Sequence, residues 1–117
     1  MSEELNLEEA IFTIIASAGE ARGKVFEAMS LAEAGKIGEA KARYAEADTE
    51  LHAAHKIQTG FIQQESGGNP VEISMLFLHA QDHLMTAISE KALTEKIINL
   101  HAKVADLDAR LRALEGK

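Results

Sequence analysis

The chain has 117 residues, of which 46% are hydrophobic and 26% charged, values typical of one compact domain rather than of a disordered chain. Its formal net charge of −7 disfavours binding to nucleic acid or to anionic lipid. Cysteine is absent, which excludes disulfides and thiolate catalysis, and neither a signal-like N-terminus nor a membrane-spanning apolar run is present, so we expect a cytoplasmic protein.

The composition predicts an all-α protein. Pro70 is the only proline, and Ala, Glu, Leu and Lys outnumber the β-branched and aromatic residues that favour strands. We predict a first helix that starts after Asn6 as the N-cap and ends near Gly35. Its inward-facing stripe is Leu7, Ile11, Ile14, Ala18, Ala21, Val25 and Ala28.

A second helix is predicted from about Lys36 to Glu65. It ends at the sequence Ser-Gly-Gly-Asn-Pro, residues 66–70, which has the composition of a loop. Its apolar stripe is Ile37, Ala40, Tyr44, Ala47, Leu51, Ala54 and Phe61.

The third helix, predicted to begin at about Pro70 or Val71, carries more apolar surface than a three-helix monomer can bury. At about 100° per residue, one apolar face packs on the first two helices and a second face has no partner in the chain. A helix that is apolar nearly all round is normally buried all round, so we expect self-association. The first face is Ile73, Leu76, Phe77, Ala80, Leu84, Ala87 and Ile88, and the second is Met75, Leu78, Met85 and Leu93.

A heptad stripe follows and forms a coiled-coil-like extension at about residues 97–117. Two interpretations fit it equally: a parallel coiled coil of third helices, or one amphipathic helix folded back on its own bundle. The stripe is Leu93, Ile97, Leu100, Val104, Leu107, Leu111 and Leu114.

Asp82 lies inside the second apolar face, between Leu78 and Met85. An ionised carboxylate in such a place must be compensated when it is buried. If third helices meet around a rotation axis, symmetry brings the copies of Asp82 together, and a shared hard cation such as Mg²⁺, or a proton, compensates the charge. The alternative is an aspartate at the edge of the face that reaches water.

A narrow polar strip of His79, His83, Thr86 and Glu90 separates the two apolar faces. We expect it to line a groove where two subunits meet. The spacing His-x-x-Asp-His supports three interpretations by itself: a zinc site formed by His79, Asp82 and His83, structural histidines, or a nucleophilic histidine that carries a phosphoryl group.

Residues 78–86, with the sequence LHAQDHLMT, resemble the active-site segment of the IIA components of the lactose/cellobiose class of the bacterial phosphotransferase system (PTS). Residues 14–22 (IIASAGEAR) and 54–59 (AHKIQT) agree with the same family in order and spacing. The resemblance covers about residues 7–102 and leaves out the heptad tail. It favours the phosphohistidine interpretation.

The resemblance implies a homotrimer of antiparallel three-helix subunits, with the third helices around the threefold axis. It implies that His79 accepts a phosphoryl group from the phosphocarrier protein HPr and passes it to a cysteine of the cognate IIB component during disaccharide uptake. Asp82 corresponds to the family's buried metal-binding aspartate, with Mg²⁺ as the expected structural cation. Gln81 and His83 are expected to support the site, and the membrane is reached only through the IIC permease.

Other hypotheses remain open from the residues alone. A zinc-binding helical protein, a non-catalytic trimeric coiled-coil module and a histidine phosphotransfer domain of two-component signalling are all helical, although the last lacks its usual lysine and glycine neighbours here. Arg22 is predicted to be a solvent-facing charge rather than a phosphate contact. The pair His52 and His55 is assigned no site, and His101 is predicted to be exposed.

Overall fold

The computed structural model describes residues 3–116, with side chains described from residue 7. Three helices fill this range: α1 (Glu3–Glu33), α2 (Ile37–Ser66) and α3 (Met75–Glu115). Short connections at 34–36 and 67–74 reverse the chain, and every helix packs against both others. The predicted all-α, antiparallel three-helix bundle is confirmed, and no helix in the described range is long and apolar enough to cross a membrane.

The core is built from the predicted stripes of α1 and α2. On α1 the whole stripe is buried except Leu7, which is half-buried. On α2 the small residues are buried, while Ile37, Tyr44 and Phe61 are half-buried at the edges of the core. Because alanine occupies so many of these positions, the two helices can approach closely along their length.

The boundary between α1 and α2 has the geometry that its glycine predicts. Gly35 has a φ of +83°, and its amide donates to the Ala32 carbonyl while the Lys36 amide donates to the Leu31 carbonyl. These two bonds satisfy the last carbonyls of α1 in a Schellman arrangement. At the other end the prediction was wrong, because α1 begins at Glu3 and Asn6 lies within the helix rather than before it.

α3 also begins later than predicted, at Met75 instead of Pro70 or Val71. Ser74 has an extended backbone and its Oγ accepts a hydrogen bond from the Phe77 amide at 3.1 Å, which makes it the N-cap. Ile73 therefore lies in the connection, with 64% of its surface exposed, and is not part of the face that packs on α1 and α2. On that face Phe77, Ala80, Leu84 and Ala87 are buried.

α3 is much longer than the bundle. Ile98 is its last buried residue, and every residue from 106 to 116 is exposed. The 41-residue helix extends the molecule to 72 Å against a cross-section of 21 by 20 Å. The alternative in which the tail folds back on its own bundle is wrong, since the helix continues without a break and its heptad stripe points away from the core.

Candidate functional site

His79 and His83 lie one turn apart on α3, at the boundary between its buried and exposed faces. His79 is exposed and His83 is half-buried. Their rings are nearly parallel, with an interplanar angle of 13° and centroids 5.9 Å apart. The predicted polar strip is confirmed, and within it the ring of His79 is the more accessible to another molecule.

Arg22 of α1 reaches across to this strip. Its Nε and Nη2 donate to the two carboxylate oxygens of Glu90 at 2.6 and 3.1 Å, and its Nη1 lies 3.2 Å from Nδ1 of His83. The side chains of Arg22 and Glu90 are only 33% and 22% exposed. The prediction of a solvent-facing charge at Arg22 is therefore wrong.

The electrostatics of this cluster follow from the same contacts. The hydrogen bonds to Glu90 raise the pKa of the Arg22 guanidinium, so it stays charged. Burial lowers the pKa of His83, and the neighbouring positive charge of Arg22 lowers it further. Both effects favour the neutral form of the His83 imidazole beside the charged guanidinium.

An open groove runs between α1 and His83. The small residues Ala16, Gly19 and Gly23 form part of its lining. A Cβ added at Gly19 would lie 3.6 Å from Nε2 of His83, so the backbone of α1 passes close to this ring. Phe12 and Phe26 are exposed on the same helix, each about two turns from Gly19. The groove was not predicted from the sequence, although Gly19, a glycine in a helix interior, is a signal for close packing by another side chain. The lining residues are Ile15, Ala16, Gly19, Glu20, Gly23, Lys24, Glu27 and His83.

Gln81 is held on the opposite side of α3. The Nε2 of the buried Gln58 donates to Gln81 Oε1 at 3.0 Å and lies 3.6 Å from the sulfur of Met85. Within one chain, Gln81 is therefore anchored against α2 and is not brought to the ring of His79.

Asp82 lies where the periodicity predicts, on the exposed face of α3. Its neighbours on that face, Leu78 and Met85, are 53% and 54% exposed. In a single chain, no group of three His, Asp or Glu side chains among those described is arranged to hold a metal. This arrangement does not support a zinc site of His79, Asp82 and His83 within one chain.

The remaining histidines stay outside the site. His52 and His55 are exposed on α2, and the nearby carboxylate of Asp48 is paired with Lys91 at 2.7 Å. His101 is half-buried beside the heptad stripe rather than exposed.

Comparison with known proteins decides the family. Residues 9–102 match the family model described as "PTS system, Lactose/Cellobiose specific IIA subunit". The chain belongs to this family. It is 41% identical over 106 residues to the lichenan-specific phosphotransferase enzyme IIA component of Bacillus subtilis, covering 91% of this chain and 94% of that protein.

Two solved structures of IIA proteins have the same fold. The PTS cellobiose-specific enzyme IIA from Bacillus anthracis is 39% identical and superposes with a TM-score of 0.80 over 89% of this chain and 93% of its own. The IIA(Chitobiose)–HPr complex of Escherichia coli gives 34% identity and a TM-score of 0.72 over 84% and 95% of the two chains. This chain is a IIA component of a sugar phosphotransferase system, and hence a phosphotransferase component.

Proposed function

We propose that this IIA component carries the phosphoryl group on His79, taking it from phospho-HPr and passing it to a cysteine of the cognate IIB component during uptake of a lactose-, cellobiose- or chitobiose-type disaccharide. The observation that carries the proposal is the exposed His79 ring, stacked on a His83 that Arg22 contacts from α1. A cytoplasmic location and a membrane-bound IIC partner belong to the same proposal.

The chemistry needs little more than positioning. A ring nitrogen of His79 attacks the phosphorus with its lone pair, while the bond from phosphorus to the donor breaks and its electron pair returns to the donor. Transfer to IIB repeats the step with a thiolate sulfur as the nucleophile. Because His79 must both accept and release the phosphoryl group, the free energy of phospho-His79 should lie close to those of the phosphorylated donor and acceptor.

HPr is the proposed donor because a structural relative was solved as a IIA(Chitobiose)–HPr complex. The groove beside His83 and the exposed Met75 at the start of α3 offer a docking surface next to His79. Glu20 and Glu27 line this groove, and the chain as a whole is acidic. These charges would steer a basic partner face towards the site.

The homotrimer is proposed from the family resemblance, and the exposed face of α3 supports self-association. In the heptad register, Lys103 and Arg110 occupy g positions while Asp108 and Glu115 occupy the following e positions. Parallel, in-register helices would place Lys103 opposite Asp108 and Arg110 opposite Glu115 of a neighbouring copy. Antiparallel helices would instead oppose cations to cations, so the charges favour the parallel arrangement.

A divalent cation at Asp82, with Mg²⁺ as the expected ion, is proposed as a structural element of the trimer axis. Carboxylate oxygens are the ligands that Mg²⁺ prefers, and Asp82 is a carboxylate placed among exposed apolar side chains. One chain supplies a single carboxylate, so Asp82 from each of three copies would hold the ion. When bound, the cation would offset their mutual repulsion.

Asp82→Leu tests the axial placement. The trimer should persist or gain about 1 kcal/mol of stability, because an apolar side chain replaces a buried charge, and the purified protein should lose its metal. The checks are mass by light scattering and metal content by atomic emission. Dissociated chains, or unchanged metal content, would contradict the placement of Asp82 on the axis.

The phosphohistidine is tested by incubating the protein with labelled phosphoenolpyruvate, the first PTS enzyme and HPr. Wild-type chain should become labelled and His79→Ala should not. The matched control is His55→Ala, which removes an exposed histidine of α2 and should be labelled like the wild type. A wild-type chain that stays unlabelled but assembles normally would favour the coiled-coil module instead.

A further inference from the structure

The geometry points to Arg22 and Glu90 as a positioning pair that fixes the ring orientation and the tautomer of His83 beside His79. This inference rests on the proposed function, since it concerns the environment of a phosphoryl group on His79. The two residues are 68 positions apart in sequence and meet only because α1 packs on α3.

The guanidinium of Arg22 uses one edge to bind Glu90 and a different nitrogen to contact His83. The edge formed by Nε and Nη2 is engaged by both oxygens of Glu90, which leaves Nη1 directed at His83 Nδ1 at 3.2 Å. A two-bond pair of this kind sets the plane of the guanidinium as well as its position. Glu90 therefore acts on His83 through Arg22.

Arginine has only donors, so His83 Nδ1 must be the acceptor of this hydrogen bond. A neutral imidazole that accepts at Nδ1 carries its proton on Nε2. The Arg22 contact thus selects one tautomer of His83. In metal sites, a hydrogen bond to the second ring nitrogen of a ligating histidine fixes the tautomer and the ring orientation in the same way.

The selected proton lies on the side of the ring that faces the groove. Nε2 of His83 is the atom nearest to where a side chain at Gly19 would begin, and the absence of that side chain leaves space beside it. The ring of His79 stacks on the same His83. His83 Nε2–H is therefore a fixed donor available to an oxygen of a phosphoryl group carried by His79.

A purely structural ion pair between α1 and α3 predicts something different. Such a pair contributes modestly to the stability of the bundle when it is partly exposed, and it has no effect on the tautomer of His83. The two roles are separated by Arg22→Lys, which keeps the positive charge but cannot engage Glu90 with two bonds and His83 with a third. Arg43→Lys is the matched control, because Arg43 also forms side-chain ion pairs, with Glu27 and Glu46, but makes no hydrogen bond to His83.

The first readout is the pair of ring ¹⁵N chemical shifts of His83, measured by NMR above the pKa of its imidazole. Wild type and Arg43→Lys should show a protonated Nε2 and an unprotonated Nδ1. Arg22→Lys should show the averaged shifts of a tautomer mixture. Glu90→Gln should move the shifts in the same direction by less, and it serves as the second variant if Arg22→Lys does not fold.

The second readout is transfer from phospho-HPr to the chain. Arg22→Lys should lower kcat roughly tenfold, the lower end of the effects of outer-shell orienting groups, with the KM for phospho-HPr unchanged. Wild-type shifts in both variants, or a changed tautomer with normal kcat, would overturn the inference. Loss of labelling on His79 in the wild type would instead refute the proposed function, so the two failures are distinguishable.

Discussion

The two halves of α3 show the same apolar periodicity used in different ways. Before Ile98, the helix buries Leu84 and Ala87 against α1 and α2. After Ile98, the heptad leucines are exposed along a stretch of helix that no other described residue covers. Leu84 is 0% exposed and Leu107 is 60% exposed, although both belong to regular apolar stripes. A stripe therefore indicates that a face will be covered, but not whether the cover comes from the same chain.

Of the substitutions that test this difference between the two halves of α3, Leu84→Ala should change the free energy of unfolding most. Leu84 is fully buried in the main core, so its truncation leaves a cavity and should lower the free energy of unfolding by about 2–5 kcal/mol. Denaturant unfolding at fixed chain concentration measures it. Ser89→Ala, an exposed change on the same helix, should stay within about 0.5 kcal/mol of wild type. Equal effects of the two changes would refute this description of the core.

Leu107→Ala should have the complementary effect. Because Leu107 lies in the tail, its truncation should weaken association between copies by about 2 kcal/mol per buried side chain while the helical bundle stays folded. Sedimentation across a concentration series measures association, and circular dichroism measures helix content. Asp106→Ala, next to it but outside the apolar stripe, is the control. Unchanged association in Leu107→Ala would show that the tail is not covered by other copies.

Of these changes, charge reversal in the tail should have the smallest effect, and it should act on the stability of the assembly. Lys103→Glu would place a glutamate opposite Asp108 of a neighbouring copy and should destabilise the parallel assembly by about 0.5 kcal/mol per pair. Adding Asp108→Lys should restore the original stability. The dissociation midpoint at low salt is the measurement, and the difference should shrink as salt is added. A double variant no more stable than Lys103→Glu would argue against these pairs.

Much of the fold could be predicted because helical periodicity reports burial directly. The stripe of α1 and the buried face of α3 around Leu84 follow from spacing alone. The start of α3 could not be predicted in this way. The helix begins after Ser74, and not at Pro70 or Val71, because the Ser74 side chain accepts a hydrogen bond from the Phe77 amide. The course of the tail could not be predicted either, because a folded-back helix and a coiled coil require the same apolar spacing.

Part of the candidate site could likewise be predicted from the sequence and part could not. His79, His83 and Asp82 were identified from their motif and from their angular positions on one helix. The contacts of Arg22 were not, because they join residues 61 and 68 positions apart and depend on how α1 packs on α3. The motif predicts a supporting role for Gln81, and its angular position on α3 places its side chain against Gln58 of α2 within one chain.

The most direct test of the central claim follows the phosphoryl group onto His79 and off it again. The chain is phosphorylated through HPr, and the ring nitrogens of His79 are observed by ¹⁵N and ³¹P NMR before and after addition of the cognate IIB component. We predict that the phosphoryl signal appears on His79, disappears on adding IIB, and persists when the acceptor cysteine of IIB is replaced by serine. A phosphoryl group on any residue other than His79, or one that IIB does not remove, would contradict the account.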